Sequence, residues 1–183
     1  MPHQIELVQA TPADVALIAT MHAESWRDTY AGLIPTEYLE QHTPAERLAT
    51  WRARLVDGAE APLEVNILRV DGQAAGFACL MPLAEPGYGI YLDNLHVRKT
   101  YHGHGYGKLL LAHWADYTAR RWPGKPLFLY VLDGNTSARE FYRQWRLLAN
   151  ELGVPKSVKN MDTRAGAITE ATDAGADLES VRH

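Results

Sequence analysis

Tyr91-Leu-Asp-Asn-Leu-His-Val97 runs directly into Arg98-Lys-Thr-Tyr-His-Gly-His-Gly-Tyr-Gly-Lys108, and this stretch decides the fold. An extended, apolar-rich run meets three alternate glycines and then a segment of helical character, so the junction reads strand, glycine loop, helix. Such a junction suits a phosphate. Gly103, Gly105 and Gly107 carry no side chain to hold an anion off the backbone, and the first amides of a helix carry partial positive charge with no intrahelical acceptor.

Two familiar phosphate loops fail on spacing. In the P-loop, G-x-x-x-x-G-K-[ST], Gly107-Lys108 would supply the last glycine and the lysine. His102, however, stands where the first glycine belongs, and Leu109 replaces the magnesium-binding hydroxyl residue. The dinucleotide fingerprint G-x-G-x-x-G begins at Gly103 and Gly105, yet Lys108 takes its third glycine position. Asp133 also lies farther on than the usual ~20 residues for a ribose-binding acid.

Upstream of the loop, Gln4 to Gln9 reads as a strand, and Thr11-Pro-Ala-Asp14 is a capping signal. Val15, Ile18, Ala19, His22 and Trp26 then recur at helical spacing to about Asp28, before Ala31-Gly32-Leu33-Ile34-Pro35 interrupts the pattern. A second signal, Thr43-Pro-Ala-Glu46, opens a helix carrying Leu48, Trp51, Arg52 and Leu55. Glu64 to Val70 and Gln73 to Pro82 form a hairpin around Asp71-Gly72, and Ile90 to Val97 is the next strand. Downstream come an amphipathic helix from Tyr106 to Arg121, a buried strand from Leu127 to Leu132 and a helix from Asn135, its cap, to about Leu148. The order β-α-α-β-β-β-α-β-α predicts an α/β protein of the α+β kind, with a mixed, mainly antiparallel central sheet flanked by helices.

The loop His102-Gly103-His104-Gly105-Tyr106-Gly107 resembles the acyl-CoA-binding loop of the GNAT superfamily of N-acetyltransferases, Arg/Gln-x-x-Gly-x-Gly/Ala, with His102 in the Arg/Gln place. Val131-Leu-Asp-Gly-Asn-Thr-Ser-Ala-Arg-Glu-Phe-Tyr142 is similar to that family's strand end followed by N-x-x-A-x-x-F-Y, with Asn135, Ala138, Phe141 and Tyr142 in register. The resemblance implies a GNAT-like sheet whose strands Ile90–Val97 and Leu127–Leu132 splay apart and leave backbone groups for the pantetheine arm. It implies acetyl-CoA as co-substrate, held by His102, Gly103, His104, Gly105, Tyr106, Gly107 and Lys108 at the diphosphate, and by Leu95, His96, Val97 and Asn135 nearer the thioester. It also implies a small-molecule or peptide amine as acceptor.

A thioester is already activated, so such an enzyme must align a neutral amine, stabilise the oxyanion and help the thiolate leave. By the resemblance, Tyr142 hydrogen-bonds the departing sulfur. By spacing alone it joins Ala138, Phe141 and Trp145 on one packed helical face. Asp93, flanked by apolar residues, is the candidate base that removes the amine proton directly or through water, and a structural partner for a turn or an arginine is the competing reading. Strand alternation places His96 on the face opposite Asp93, as the weaker candidate. A backbone amide near Leu95 to Val97 is the expected oxyanion donor. Substrate choice is expected from Ser25 to Tyr38, where Trp26, Tyr30 and Tyr38 mix with Arg27, Asp28 and Glu37, with ordinary helix packing the alternative.

At 183 residues, 46% of them hydrophobic and five of them tryptophan, the chain suffices for one well-filled domain. That domain is expected over residues 4–150. Residues 151–183 form an atypical segment that completes the sheet, is exchanged with a partner copy in a homodimer, or is loosely ordered. Its weak strand candidates are Val154 to Val158 and Ala167 to Thr169. A net charge of −4, from 18 Lys+Arg against 22 Asp+Glu without a basic run, gives no footprint for nucleic acid or an anionic membrane. Cys79 is the only cysteine, which excludes an intrachain disulfide. Neither an apolar run of membrane length nor a signal-peptide start is present, so cytoplasmic residence is the expectation. His96, His102, His104 and His113 lack an accompanying carboxylate or cysteine pattern, and no metal is expected. Two other functions compete with the acetyltransferase: a sensor that binds CoA without turnover, and a nucleotide-dependent oxidoreductase.

Overall fold

The computed structural model describes residues 3–32, 34–58, 63–82, 89–131, 135–151 and 158–162, with side chains described as far as residue 147. Asp71 and Gly72 both take positive φ, 50° and 78°. That is the geometry a two-residue hairpin turn needs to match strand twist, and it joins β2 (Glu64–Val70) to β3 (Gln73–Met81) as read from the sequence. β1 (Ile5–Gln9) pairs antiparallel on the outer side of β2, and β4 (Ile90–Val97) pairs antiparallel with β3. β5 (Leu127–Val131) and β6 (Val158–Asp162) continue the sheet in parallel, giving the order β1-β2-β3-β4-β5-β6. The expected mixed, mainly antiparallel sheet is therefore present, with a sixth strand from the tail. That strand meets the Val154 to Val158 candidate only at Val158, and Ala167 to Thr169 lies outside the described residues.

Among the described residues five α-helices flank the sheet: α1 (Val15–Tyr30), α2 (Thr36–Gln41), α3 (Thr43–Arg52), α4 (Tyr106–Arg121) and α5 (Thr136–Glu151). The chain enters α1 through a 3-10 turn, Pro12–Asp14, where the Asp14 carboxylate accepts from both the Thr11 amide and its hydroxyl at 2.9 and 2.8 Å. α2 has no counterpart in the sequence reading. α3 runs on into a π-helical turn, Ala53–Asp57, ended by Gly58 at φ 63°.

β3 is buried along nearly its whole length because both its faces are covered. On one side Ile18, Met21 and Trp51 pack against Val65, Ile67 and Phe77, and on the other Leu110, Leu111 and Trp114 pack against Leu68, Leu80 and Leu92. Fully burying a side chain such as Phe77 contributes roughly 1.5–3 kcal/mol, so these two layers fix the sheet on which the site is built. Among the described residues no helix is long and apolar enough to cross a membrane.

Candidate active site

Two irregularities in β4 make the site. Leu92 pairs with Leu80 and Asn94 with Cys79, so Asp93 is an extra residue opposite no partner, a β-bulge. On its other side β4 pairs with β5 only at Ile90–Leu127 and Tyr91–Phe128. Beyond those two positions the strands part, and a cavity of about 1080 Å³ opens between them. This is the expected splay, and it leaves backbone groups of Leu92 to Val97 and Leu129 to Val131 without each other. The cavity is bounded by these strands, the glycine loop, the start of α5 and the inner face of α1. It slightly exceeds the roughly 300–1,000 Å³ of ordinary small-ligand pockets.

The loop forms one wall. None of the amides from Gly103 to Lys108 has a hydrogen-bond acceptor among the described residues. The first helical bond of α4 is Leu109 N–H to the Gly105 carbonyl, 3.0 Å. Gly103 and Gly105 both sit at φ 80°, where a β-carbon would meet nothing within 4 Å. Gly107 differs. A β-carbon there would lie 3.2 Å from the Phe141 ring, so the missing side chain of Gly107 permits the close approach of α4 to α5. His102 folds back, its Nε2 2.8 Å from the Val97 carbonyl, and His104 stacks on Tyr106 outside the cavity lining. Both side chains are thus engaged with the protein itself, and His102 and Lys108 line the cavity while His104 does not.

Across the cavity, Asn135 caps α5 by accepting the Ala138 amide at 3.0 Å. About two turns on, Phe141 and Tyr142 face the cavity. Desolvation raises the Tyr142 phenol above its ordinary range, so it stays protonated at neutral pH.

The face of β4 toward α1 and α3 corrects two expectations. Asp93 does not have apolar surroundings: its Oδ2 accepts from Arg54 Nη1 at 2.7 Å, and the two side chains are only 12% and 9% exposed. The same oxygen accepts from Asn94 Nδ2. Nor does His96 lie on the opposite face. The bulge absorbs one step of the alternation, so Leu92 and Leu95 pack toward α4 and α5 while Asp93 and His96 both face α1 and α3. His96 Nε2 lies 3.1 Å from Asn94 Oδ1, and its Nδ1 lies 2.6 Å from Ser25 Oγ. Its ring centroid is 4.8 Å from that of His22, whose Nδ1 accepts from Trp51 Nε1 at 3.1 Å. Burial, helped by the positive charge of Arg47, lowers His96 to about 4. His22 is lowered well below its ordinary value by burial, then by His96, Arg47 and Arg54. Both imidazoles are neutral at physiological pH.

Trp26 and Tyr30 line the far end of the cavity, 5.0 Å apart by ring centroid, with the Arg47 guanidinium 4.5 Å over Trp26. Tyr38 is elsewhere. Its hydroxyl donates to Glu46 at 2.6 Å and its ring stacks on His42, so it ties α2 to α3 and does not reach the cavity.

With this geometry in view, the profile of the acetyltransferase (GNAT) family matches residues 19–146, more than two thirds of the sequence. The chain belongs to this family. It is an N-acetyltransferase. Among its relatives is an uncharacterised N-acetyltransferase, YuaI, of Bacillus subtilis (strain 168), 28% identical over 131 residues, which are 70% of this chain and 72% of that one. The fold matches the PaiA N-acetyltransferase of Thermoplasma acidophilum in complex with coenzyme A. Its TM-score is 0.61 and its identity 21%, and the match covers 77% of this chain and 87% of that one. It also matches YncA, a putative acetyltransferase from Salmonella typhimurium with its cofactor acetyl-CoA. There the TM-score is 0.54 and the identity 22%, over 77% of this chain and 78% of that one.

Several residues of the N-acetyltransferase cavity escaped the sequence reading, Arg47, Arg54, Asn94 and Tyr130, and Ser25 entered it only as the first residue of the segment expected to choose the substrate. Arg47 and Arg54 did carry a signal, since they flank Trp51 at i−4 and i+3 and so share its inward helical face. Ser25 carried none. It is one polar residue near the end of a helix, and its partner is 71 positions away.

Proposed function

We propose that this N-acetyltransferase transfers an acetyl group from acetyl-CoA to a primary amine by direct attack within a ternary complex. The observation that carries the reading is the run of amides from Gly103 to Lys108 without acceptors, set at the mouth of the cleft where β4 and β5 part. A diphosphate satisfies such amides and profits from the positive end of α4, and Lys108 adds a charge beside it. The edges of β4 and β5, which do not pair with each other beyond Tyr91 and Phe128, suit the amide-bearing arm of coenzyme A. The cavity volume leaves room for an acceptor at the Trp26 and Tyr30 end.

In this reading a backbone amide between Leu95 and Val97 receives the developing oxyanion, and Tyr142 donates its phenolic proton to the departing sulfur. The raised phenol favours that role only in that the proton is present at neutral pH, ready to hydrogen-bond the sulfur as negative charge develops on it. Asp93, held by Arg54 and Asn94, anchors the polar floor of the site and is not a free base. Thiol release from acetyl-CoA tests the proposal with benzylamine, spermidine, L-lysine and an alanyl peptide as acceptors. Release with at least one of them, lost in Tyr142→Phe, is the expected result. Tight acetyl-CoA binding with no release from any amine would make the protein a sensor.

A further inference from the structure

The network on the inner face of β4 has a direction, and the direction points into the cavity. A carboxylate only accepts hydrogen bonds, so Asn94 must present its NH2 to Asp93 and its carbonyl oxygen to His96. His96 then carries its hydrogen on Nε2. A neutral imidazole has one N–H, which leaves Nδ1 bare, and the Ser25 hydroxyl 2.6 Å away must be its donor. The lone pairs of Ser25 Oγ remain available to the cavity that Ser25 lines. A hydroxyl polarised by a histidine, itself oriented by an amide, is the arrangement that activates an oxygen to accept a proton or to attack. Arg54 Nη1 holds Asp93 from the far side, so the chain of contacts runs Arg54, Asp93, Asn94, His96, Ser25 without a break.

We propose that Ser25 is a catalytic residue that takes the proton of the attacking amine while passing its own to His96, and that Asn94, Asp93 and Arg54 are positioning residues that keep His96 in the receiving tautomer. The inference rests on the acetyl-transfer reading above. As the amine nitrogen bonds to the thioester carbon and the carbon–sulfur bond breaks, one N–H proton moves to Ser25 Oγ. The Ser25 hydroxyl proton moves at the same time to His96 Nδ1, and Tyr142 gives its proton to the sulfur. Amide and thiol depart. The extra proton on His96 returns through solvent to the Tyr142 oxygen, and both groups are restored.

The test compares wild type with Ser25→Ala, Ser25→Thr and His96→Gln, using acetyl-CoA and the same four amines. It reads thiol release at saturating amine, acetyl-CoA affinity by calorimetry, and the dependence of rate on solvent deuterium fraction. Ser25→Ala and His96→Gln should each lower kcat by about 10²-fold, with acetyl-CoA affinity unchanged and little change in the KM for amine. Ser25→Thr, which restores the hydroxyl, should recover most of the rate. The deuterium plot should bow in wild type, where three protons move, and bow less in Ser25→Ala, where the Ser25 hydroxyl proton is absent. Asn94→Leu should reduce the bowing too, which a merely structural loss would not do. Wild-type turnover in Ser25→Ala would overturn the relay and leave the acetyl-transfer reading standing. An acetyl group found on Ser25 by mass spectrometry after incubation without amine would also overturn it, in favour of attack by Ser25. If wild type binds acetyl-CoA and releases thiol with none of the amines, the acetyl-transfer reading falls and the relay falls with it.

Discussion

Replacing Gly105 with valine separates the loop's conformation from its ligand, because the fold contains a control. Gly105 has φ 80° and ψ 4°, and a β-carbon there meets nothing within 4 Å. Gly124, also at φ 80° with open space around it, lies away from the cavity. A side chain in the left-handed region costs ~1–2 kcal/mol at either place, somewhat more when β-branched, so both variants should melt roughly 2–8 °C below wild type. Only Gly105→Val puts a branched side chain in front of acceptor-free amides. Its affinity for coenzyme A should fall at least tenfold, about 1.4 kcal/mol, while Gly124→Val binds as wild type does. Isothermal titration with coenzyme A reads the difference directly. Equal affinity in the two variants would show that the diphosphate is held elsewhere.

Tyr142→Phe should lower turnover by about 10²-fold with coenzyme A affinity nearly unchanged, as expected of a proton donor; full activity would return Tyr142 to a packing role. Arg54→Leu leaves the buried Asp93 carboxylate without its guanidinium and should cost about 3–5 kcal/mol in denaturant melts. Arg54→Leu with Asp93→Leu should recover much of that loss, and strictly additive losses would refute the pairing. His96 titrates at about 4 when folded against 6.5 when free, so between those values the unfolded chain binds the extra proton. Stability is then full above about pH 6.5 and falls as pH drops toward 4, by at most about 3–4 kcal/mol from this residue. His96→Gln should flatten that slope, though not abolish it, since His22 shares its direction. An unchanged slope would place the titration elsewhere.

The elements whose signals are local were legible from the residues. Asp71-Gly72 specified the hairpin because only a few residue types tolerate two positive φ angles in succession. The alternate glycines announced the loop because two of them adopt a conformation few other residues tolerate. Gly107 shows the limit of that reasoning. It belongs to the same pattern, yet its small size serves a helix contact with Phe141 that is visible only once α5 has been packed. Tyr38 failed for the converse reason: its composition suited a pocket, but its partner Glu46 sits eight residues on and draws it into the joint between α2 and α3.

The geometry of the inner face was not legible, and the reason is the bulge at Asp93. Alternation assigns faces only while pairing stays in register, and a single extra residue reverses every assignment after it. Nothing in Leu92-Asp-Asn-Leu95 marks the slip, since the residues before and after it remain strand-like. Yet the slip turns Asp93 and His96 to one side, where Asn94 can bridge them and where Arg54 and Ser25 close the two ends. The same bulge sits next to the place where β4 leaves β5, two residues past their last pair at Tyr91. One irregularity therefore lies beside the cleft that admits a thioester and also assembles the polar chain facing it. A one-residue deletion at Asp93 should for this reason restore plain alternation with Asn94 still opposite Cys79 and His96 still opposite Phe77, so that it removes the ion pair to Arg54 while leaving His96 turned toward Ser25.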